Sequence, residues 1–203
     1  MSLTEFIHSG TEDDLKACLD SESNPPELLR KLGEADPFQK MNIELLVILN
    51  KQEFVEKAIA TGYDVNAAGK NGYTMLHYAA MWNRPLLIRY LYFSNVELFA
   101  KNQQGETPHD IALKYGQNDA DIVLQWAKCR QEFIRLIEHT REMIAVTDKS
   151  EYSKEEKKLI ENACVDGENW INKNKEATLS ALRTKKEHIE LIVEPLFRTK
   201  SPK

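Results

Sequence analysis

Apolar positions between residues 69 and 101 fall into two short groups divided by polar turns. Leu76, Ala79 and Ala80 form the first group, and Leu86, Leu87, Ile88 and Leu91 the second. Each group has the spacing of a helix with one buried face. Gly72 and Thr74 precede the first group as a turn and a helix cap, and Pro85 suits the first turn of the second helix. The small side chains of Ala79 and Ala80 let neighbouring helices approach closely. The same frame returns as Gly105, Thr107, Pro108, Asp110, Ile111 and Ala112, 33 residues further on. Self-similarity at that period predicts an array of stacked helix pairs.

The frame extends in both directions with departures. Upstream, Gly62, Asp64, Val65 and Asn66 close a repeat over residues 36–68 whose first position is Asp36. In it Met41 stands where the capping Thr belongs and Glu44 where His77 stands later, but the run Ile43 to Leu49 still suits a buried helix. Residues 1–35 read as a degenerate opening unit, with Phe6, Ile7, Leu15, Cys18 and Leu19 at helical spacing and Gly10 in a turn. Pro25 and Pro26 interrupt the pattern before Leu28, Leu29 and Leu32 resume it. Over residues 102–127, Thr107-Pro108-His109-Asp110 is a capping box opening a last, modified repeat, whose second helix at Ala120 to Trp126 is one residue out of register.

After residue 127 the period stops. Phe133, Ile134, Ile137, Ile144 and Val146 predict a helix over about 128–146, and Thr147 to Ser150 a polar connection. Ser153 and Glu156 cap a second helix carrying Leu159, Ile160, Ala163, Cys164, Trp170 and Ile171. A third carries Leu179, Leu182, Ile189, Ile192, Val193 and Leu196 and ends near Pro195. The expected fold is all-α: a repeat solenoid of about four helix pairs over 1–127, a small antiparallel three-helix bundle over 128–197, and a polar tail over 198–203.

Charge divides along the same line. Residues 1–127 hold 11 basic and 18 acidic side chains, net −7, and residues 128–203 hold 16 and 14, net +2. Neither half has the basic stripe of a nucleic-acid binder, so a charge-driven partner would be basic and would dock on the first half. No apolar run is long enough to span a bilayer and the first residues do not resemble a signal peptide, so no membrane partner is expected. Cys18, Cys129 and Cys164 read as free, buried thiols, which fits a cytoplasmic setting.

Two stretches resemble known families. The frame built on Gly72, Thr74, Leu76, His77, Ala79 and Ala80, repeated at Gly105 to Ala112, resembles the ankyrin repeat over about residues 3–127. That resemblance implies stacked helix pairs with turns projecting to one side, used to bind proteins. Residues 153–196, with the Ser153 cap, Trp170-Ile171, Asn174 and Glu194-Pro195, resemble the helical lid of the seventy-kilodalton heat-shock chaperones. The chaperones' ATPase domain and peptide-binding sandwich have no counterpart here, so this likeness implies fold alone. The pairing of array and lid is similar to a small group of animal proteins associated with cytoplasm and ciliated cells. It implies axonemal or cytoskeletal protein partners, with a soluble adaptor linked to a heat-shock chaperone as the alternative.

The ankyrin resemblance leaves certain turn and inner-helix positions free of packing duty. These are Lys70, Asn71, Tyr73, Met81 and Trp82 in one repeat, and Gln103, Gln104, Glu106, Lys114 and Tyr115 in the next. They are the expected partner-binding residues, Trp82 foremost, because Trp and Tyr dominate interface hot spots. The resemblance gives His77 a structural role, bonding backbone between repeats. His139 and Glu142 lack further ligands at metal spacing. No phosphate loop, nucleophile motif or carboxylate pair is recognisable, so no enzyme, cofactor or metal is expected. Arg183, Lys185 and Lys186, alternating with Glu187 and Glu190, read as a solvated helix face, while Trp126 and Trp170 read as core.

Overall fold

The computed structural model describes residues 3–9, 11, 13–14, 16–17, 25–35, 41–146 and 153–197. The expectations placed on Gly10, Leu15, Cys18, Leu19, Asp36, Thr147 to Ser150 and the 198–203 tail lie outside these. Among the described residues are ten α-helices, with two isolated antiparallel bridges, Ala35–Met41 and Ala68–Thr74. The chain forms two compact units, Met1–Leu124 and Gln125–Lys203.

In the first unit the helices are α1 (Leu3–Ser9), α2 (Pro25–Gly33), α3 (Asn42–Ile48), α4 (Gln52–Ala60), α5 (Met75–Met81), α6 (Pro85–Phe93) and α7 (Pro108–Lys114). The first turns of α8 (Asn118–Val146) complete it. Helices α3 and α4 pack as a pair, as do α5 and α6, and α3, α5 and α7 pack side by side as an inner row. Leu46, Leu76, Ala79, Ala80, Ile111 and Ala112 are fully buried in this row. Three alanines at the contact leave the helix backbones room to close.

Each inner helix ends on a residue with positive φ, at Asn50 (58°), Asn83 (51°) and Gly116 (65°), 33 residues apart. Asparagine and glycine are the residues that enter the left-handed region most readily. The residue after each of the last two turns ties its repeat to the preceding one. The Arg84 guanidinium donates to the Ile48 carbonyl at 2.5 Å, and Gln117 Nε2 to the Met81 carbonyl at 3.0 Å.

Several local expectations are corrected. Pro25 and Pro26 open α2 rather than breaking it, because the missing N–H of a proline is unpaired in a first helical turn in any case. The 36–68 repeat replaces the Thr–His pair with a carboxylate: Glu44 Oε2 accepts the Met41 N–H at 2.9 Å. Asn42 is wholly buried there and accepts the Thr4 hydroxyl at 2.8 Å while donating to the Lys31 carbonyl at 2.7 Å, so α1 and α2 are both fastened to α3. The helices expected at 120–126 and 128–146 are one continuous helix, α8, since nothing between them removes an N–H or demands positive φ.

The second unit comprises the rest of α8 with α9 (Lys154–Lys173) and α10 (Leu179–Phe197). Its core is Trp126, Phe133, Ile137, Ile160, Cys164, Ile171, Leu182, Ile189 and Val193. A Cβ on Gly167 would sit 3.1 Å from Ile137 and 3.3 Å from Phe133, so glycine there permits α8 and α9 to come close. The buried Trp126 indole donates to the Ala177 carbonyl at 2.9 Å, and the Arg130 guanidinium, over its ring, donates to the Ile171 carbonyl at 2.9 Å. Ser153 and Glu156 form the expected capping box. Trp170 is only half-buried, not core. Lys185 and Lys186 do not stand on a solvated face. Their side chains are largely buried and pair with Asp166 at 2.5 Å and Glu132 at 2.9 Å, across to α9 and α8. Sequence alternation on α10 does not reveal acids contributed by other helices.

Candidate functional site

Two projecting loops in the first unit are built by the same hydrogen bonds. Gly69 N–H donates to the Tyr73 carbonyl at 2.8 Å, and Asn102 N–H to the Glu106 carbonyl at 3.0 Å. The loops are then joined to each other, with Gln103 N–H donating to the Asn71 carbonyl at 2.8 Å. Gly72 (φ +75°) is forced at this junction, because a Cβ would lie 3.2 Å from Asn102 Cα and Gln103 N. Asn102, buried, organises the second loop: its Oδ1 accepts the Gln104 and Glu106 N–H groups, both at 2.9 Å. Sequence reasoning missed this role, although Asn102 occupies the position held by Asp36 in the first frame.

His77 fixes the loops to the inner row. Its Nδ1 accepts the Thr74 N–H at 3.2 Å and lies 2.9 Å from the Thr74 hydroxyl, while Nε2 is 3.1 Å from the Glu106 carbonyl. With Nδ1 accepting, the proton resides on Nε2 and is donated to that carbonyl, which makes the ring neutral. Burial holds its pKa below the usual histidine range, against the pull of the Glu106 carbonyl. Cap and inter-repeat tie are thus one side chain, and the Thr74 hydroxyl is turned to the imidazole.

The ten expected binding residues lie along these loops and helix ends. Lys70, Asn71, Gln103 and Gln104 are exposed on the loops. Tyr73 is half-buried, with its ring centroid 5.4 Å from both His77 and Tyr78, so part of it serves packing. Glu106 is held by Lys114 at 2.7 Å and by Asn102 at 2.9 Å, which keeps its carboxyl below the usual range. Lys114, raised in turn chiefly by Glu106, lies 6.0 Å from the centre of the Tyr115 ring. Met81 is half-buried beside Trp82. Trp82 and Tyr115 close their inner helices and are 47% and 50% exposed.

The third member of this set was not anticipated. Leu49 closes α3 and is 43% exposed, so Leu49, Trp82 and Tyr115 recur at 33-residue intervals on the ends of three adjacent helices. With helices packed about 8–10 Å apart, they form an apolar stripe roughly 20 Å long. Stepping back one period from Trp82 would have found Leu49.

Among the described residues no group of three or more His, Cys, Asp or Glu side chains could hold a metal ion, and no helix is long and apolar enough to cross a membrane. The His109–Asp121 pair at 2.8 Å joins α7 to the start of α8.

The family model for ankyrin repeats matches residues 43–133, with three copies. Residues 43–133 carry ankyrin repeats. It is also similar to ankyrin repeat domain-containing protein 45 of Danio rerio, at 30% identity over 128 residues, which is 62% of this chain and 57% of that protein. The human protein of the same name is 27% identical over 195 residues, 93% of this chain and 73% of its own length. Ankyrin repeats bind other proteins, and here the loops and the exposed stripe belong to the matched array.

Proposed function

We propose that the chain is a non-enzymatic protein-binding scaffold whose ankyrin array grips its partner along the stripe Leu49–Trp82–Tyr115 and the adjoining loops. The observation that carries this reading is the recurrence of three large exposed apolar side chains in one register. Isolated surface apolar residues are ordinary, but repeated ones on a rigid, hydrogen-bonded frame present a preorganised surface. Around them, Lys114 and Glu106 already neutralise one another, leaving the uncharged rings as the main source of affinity.

The setting we propose is a ciliary axonemal assembly in the cytoplasm, with axonemal or cytoskeletal proteins as partners; its support is the resemblance of the paired array and helical bundle to proteins of ciliated cells. Detergent extraction of ciliated cells expressing the tagged full chain tests it. Retention in the salt-washed axoneme, lost on Trp82→Ala, is the expected result. Release of the wild-type chain with the soluble matrix refutes the axonemal setting and leaves the soluble, chaperone-linked adaptor. That alternative then requires the purified chain to alter a heat-shock chaperone's ATPase rate.

A further inference from the structure

The outer helix α6 carries a second surface. Leu87, Ile88 and Leu91 are buried, and the opposite face presents Leu86, Arg89, Tyr90 and Phe93. Leu86 is 71% and Phe93 44% exposed. Seven residues apart, they lie on one line of the helix, about 10 Å from each other along its axis. One repeat earlier the same positions of α4 are Glu53, Glu56, Lys57 and Ala60, a composition suited to water. One repeat later the position of Leu86 is held by Asp119.

The apolar ridge of α6 is therefore flanked by acids on both neighbouring outer helices: Glu53 and Glu56 on α4, Glu56 accepting the Gln52 amide at 2.7 Å, and Asp119 on the first turn of α8, which accepts the Asn83 amide at 3.1 Å. Glu53 and Asp119 are exposed. Among the described residues of these outward faces the basic side chains are Lys57 and Arg89, each already engaged in an interaction. The Tyr90 hydroxyl donates to the Glu56 carbonyl at 3.4 Å, which ties α6 to α4.

We propose that this outer face docks a basic amphipathic helix of a partner protein, whose apolar side covers Leu86, Tyr90 and Phe93 while its Lys or Arg side chains reach Glu53, Glu56 and Asp119. A helix fits because the outer helices offer a ridge between two grooves, into which another helix packs its own side chains. Its basic character follows from the acids on both flanks and from the net −7 of residues 1–127. The same charge opposes a second copy of this unit and an anionic membrane surface. The site lies on the outer helices and uses none of the residues of the Leu49–Trp82–Tyr115 stripe.

The test uses the full chain and a fluorescent 18-residue leucine–lysine amphipathic peptide, with a leucine–glutamate peptide of the same pattern as control. Saturable binding of the lysine peptide alone is expected. Loss of the exposed apolar contact in Leu86→Ser should weaken it roughly tenfold or more. Glu53→Lys should weaken it in low salt, and Trp82→Ala should leave it unchanged. All three variants alter exposed positions, and circular dichroism checks that they fold. Absence of binding, equal binding of the two peptides, or insensitivity to Leu86→Ser overturns the proposal. So does concentration-dependent dimerisation abolished by Leu86→Ser, which would assign the face to a second copy. Failure here leaves the stripe untouched, since Trp82→Ala reports on that surface independently.

Discussion

Replacing Gly72 and, separately, Gly105 with alanine distinguishes two reasons for a glycine in the same repeat position. Both have positive φ, 75° and 79°. An alanine held there loses roughly 1–2 kcal/mol to the left-handed conformation, offset by about 0.4–1 kcal/mol from restricting the unfolded chain. Gly105 has open space where the methyl would go, so its variant should be destabilised by only about 1 kcal/mol. At Gly72 the methyl would meet Asn102 Cα and Gln103 N at 3.2 Å, both backbone atoms that cannot rotate away. Moving them strains the Gln103 to Asn71 bond, worth about 1 kcal/mol, and the contact itself adds more. Gly72→Ala should therefore lose about 2–3 kcal/mol. Native-state hydrogen exchange on peptides spanning residues 69–106 is the assay, because it reads this unit separately from the helical bundle. The Gln103 amide should lose protection in Gly72→Ala and keep it in Gly105→Ala. Equal costs in the two variants would refute the close-approach account and leave φ alone as the reason.

Three further outcomes are expected. The folded pKa of His77 lies below its ordinary value of 6.5, so the unfolded chain binds the proton more readily. The stability this gives is complete above pH 6.5 and is lost as pH falls below it, through the folded pKa; urea melts from pH 7.5 to 5 should show the decline, and His77→Gln should flatten it. Trp82→Ala should shift the melting midpoint negligibly, because the ring is half exposed, yet cost about 2 kcal/mol in partner affinity; a large loss of stability would place Trp82 in the core. Trp126→Phe should destabilise the second unit by about 2 kcal/mol, since it strands the Ala177 carbonyl and leaves a void beside Arg130. A change under half a kilocalorie would show that water replaces the indole N–H.

The sequence by itself determined the period and hence the architecture. A 33-residue recurrence of glycine, threonine and small apolar residues has few solutions other than stacked helix pairs, because helix spacing and turn chemistry are local properties. The ankyrin resemblance placed Trp82 and Tyr115 where the frame leaves side chains free of packing duty, and both are exposed in the fold. What lay between elements was decided only in three dimensions. No local signal shows that Lys186 meets Glu132, 54 residues earlier, or that the Trp126 indole reaches Ala177. Nor does any show that Glu44 does at one repeat the capping that His77 does at the next. The ridge on α6 belongs to the same class: its apolar residues read as ordinary helix, and only the folded stack sets them outward between two acidic neighbours. Burial and pairing depend on which distant element arrives at a side chain, and that is a property of packing rather than of sequence spacing.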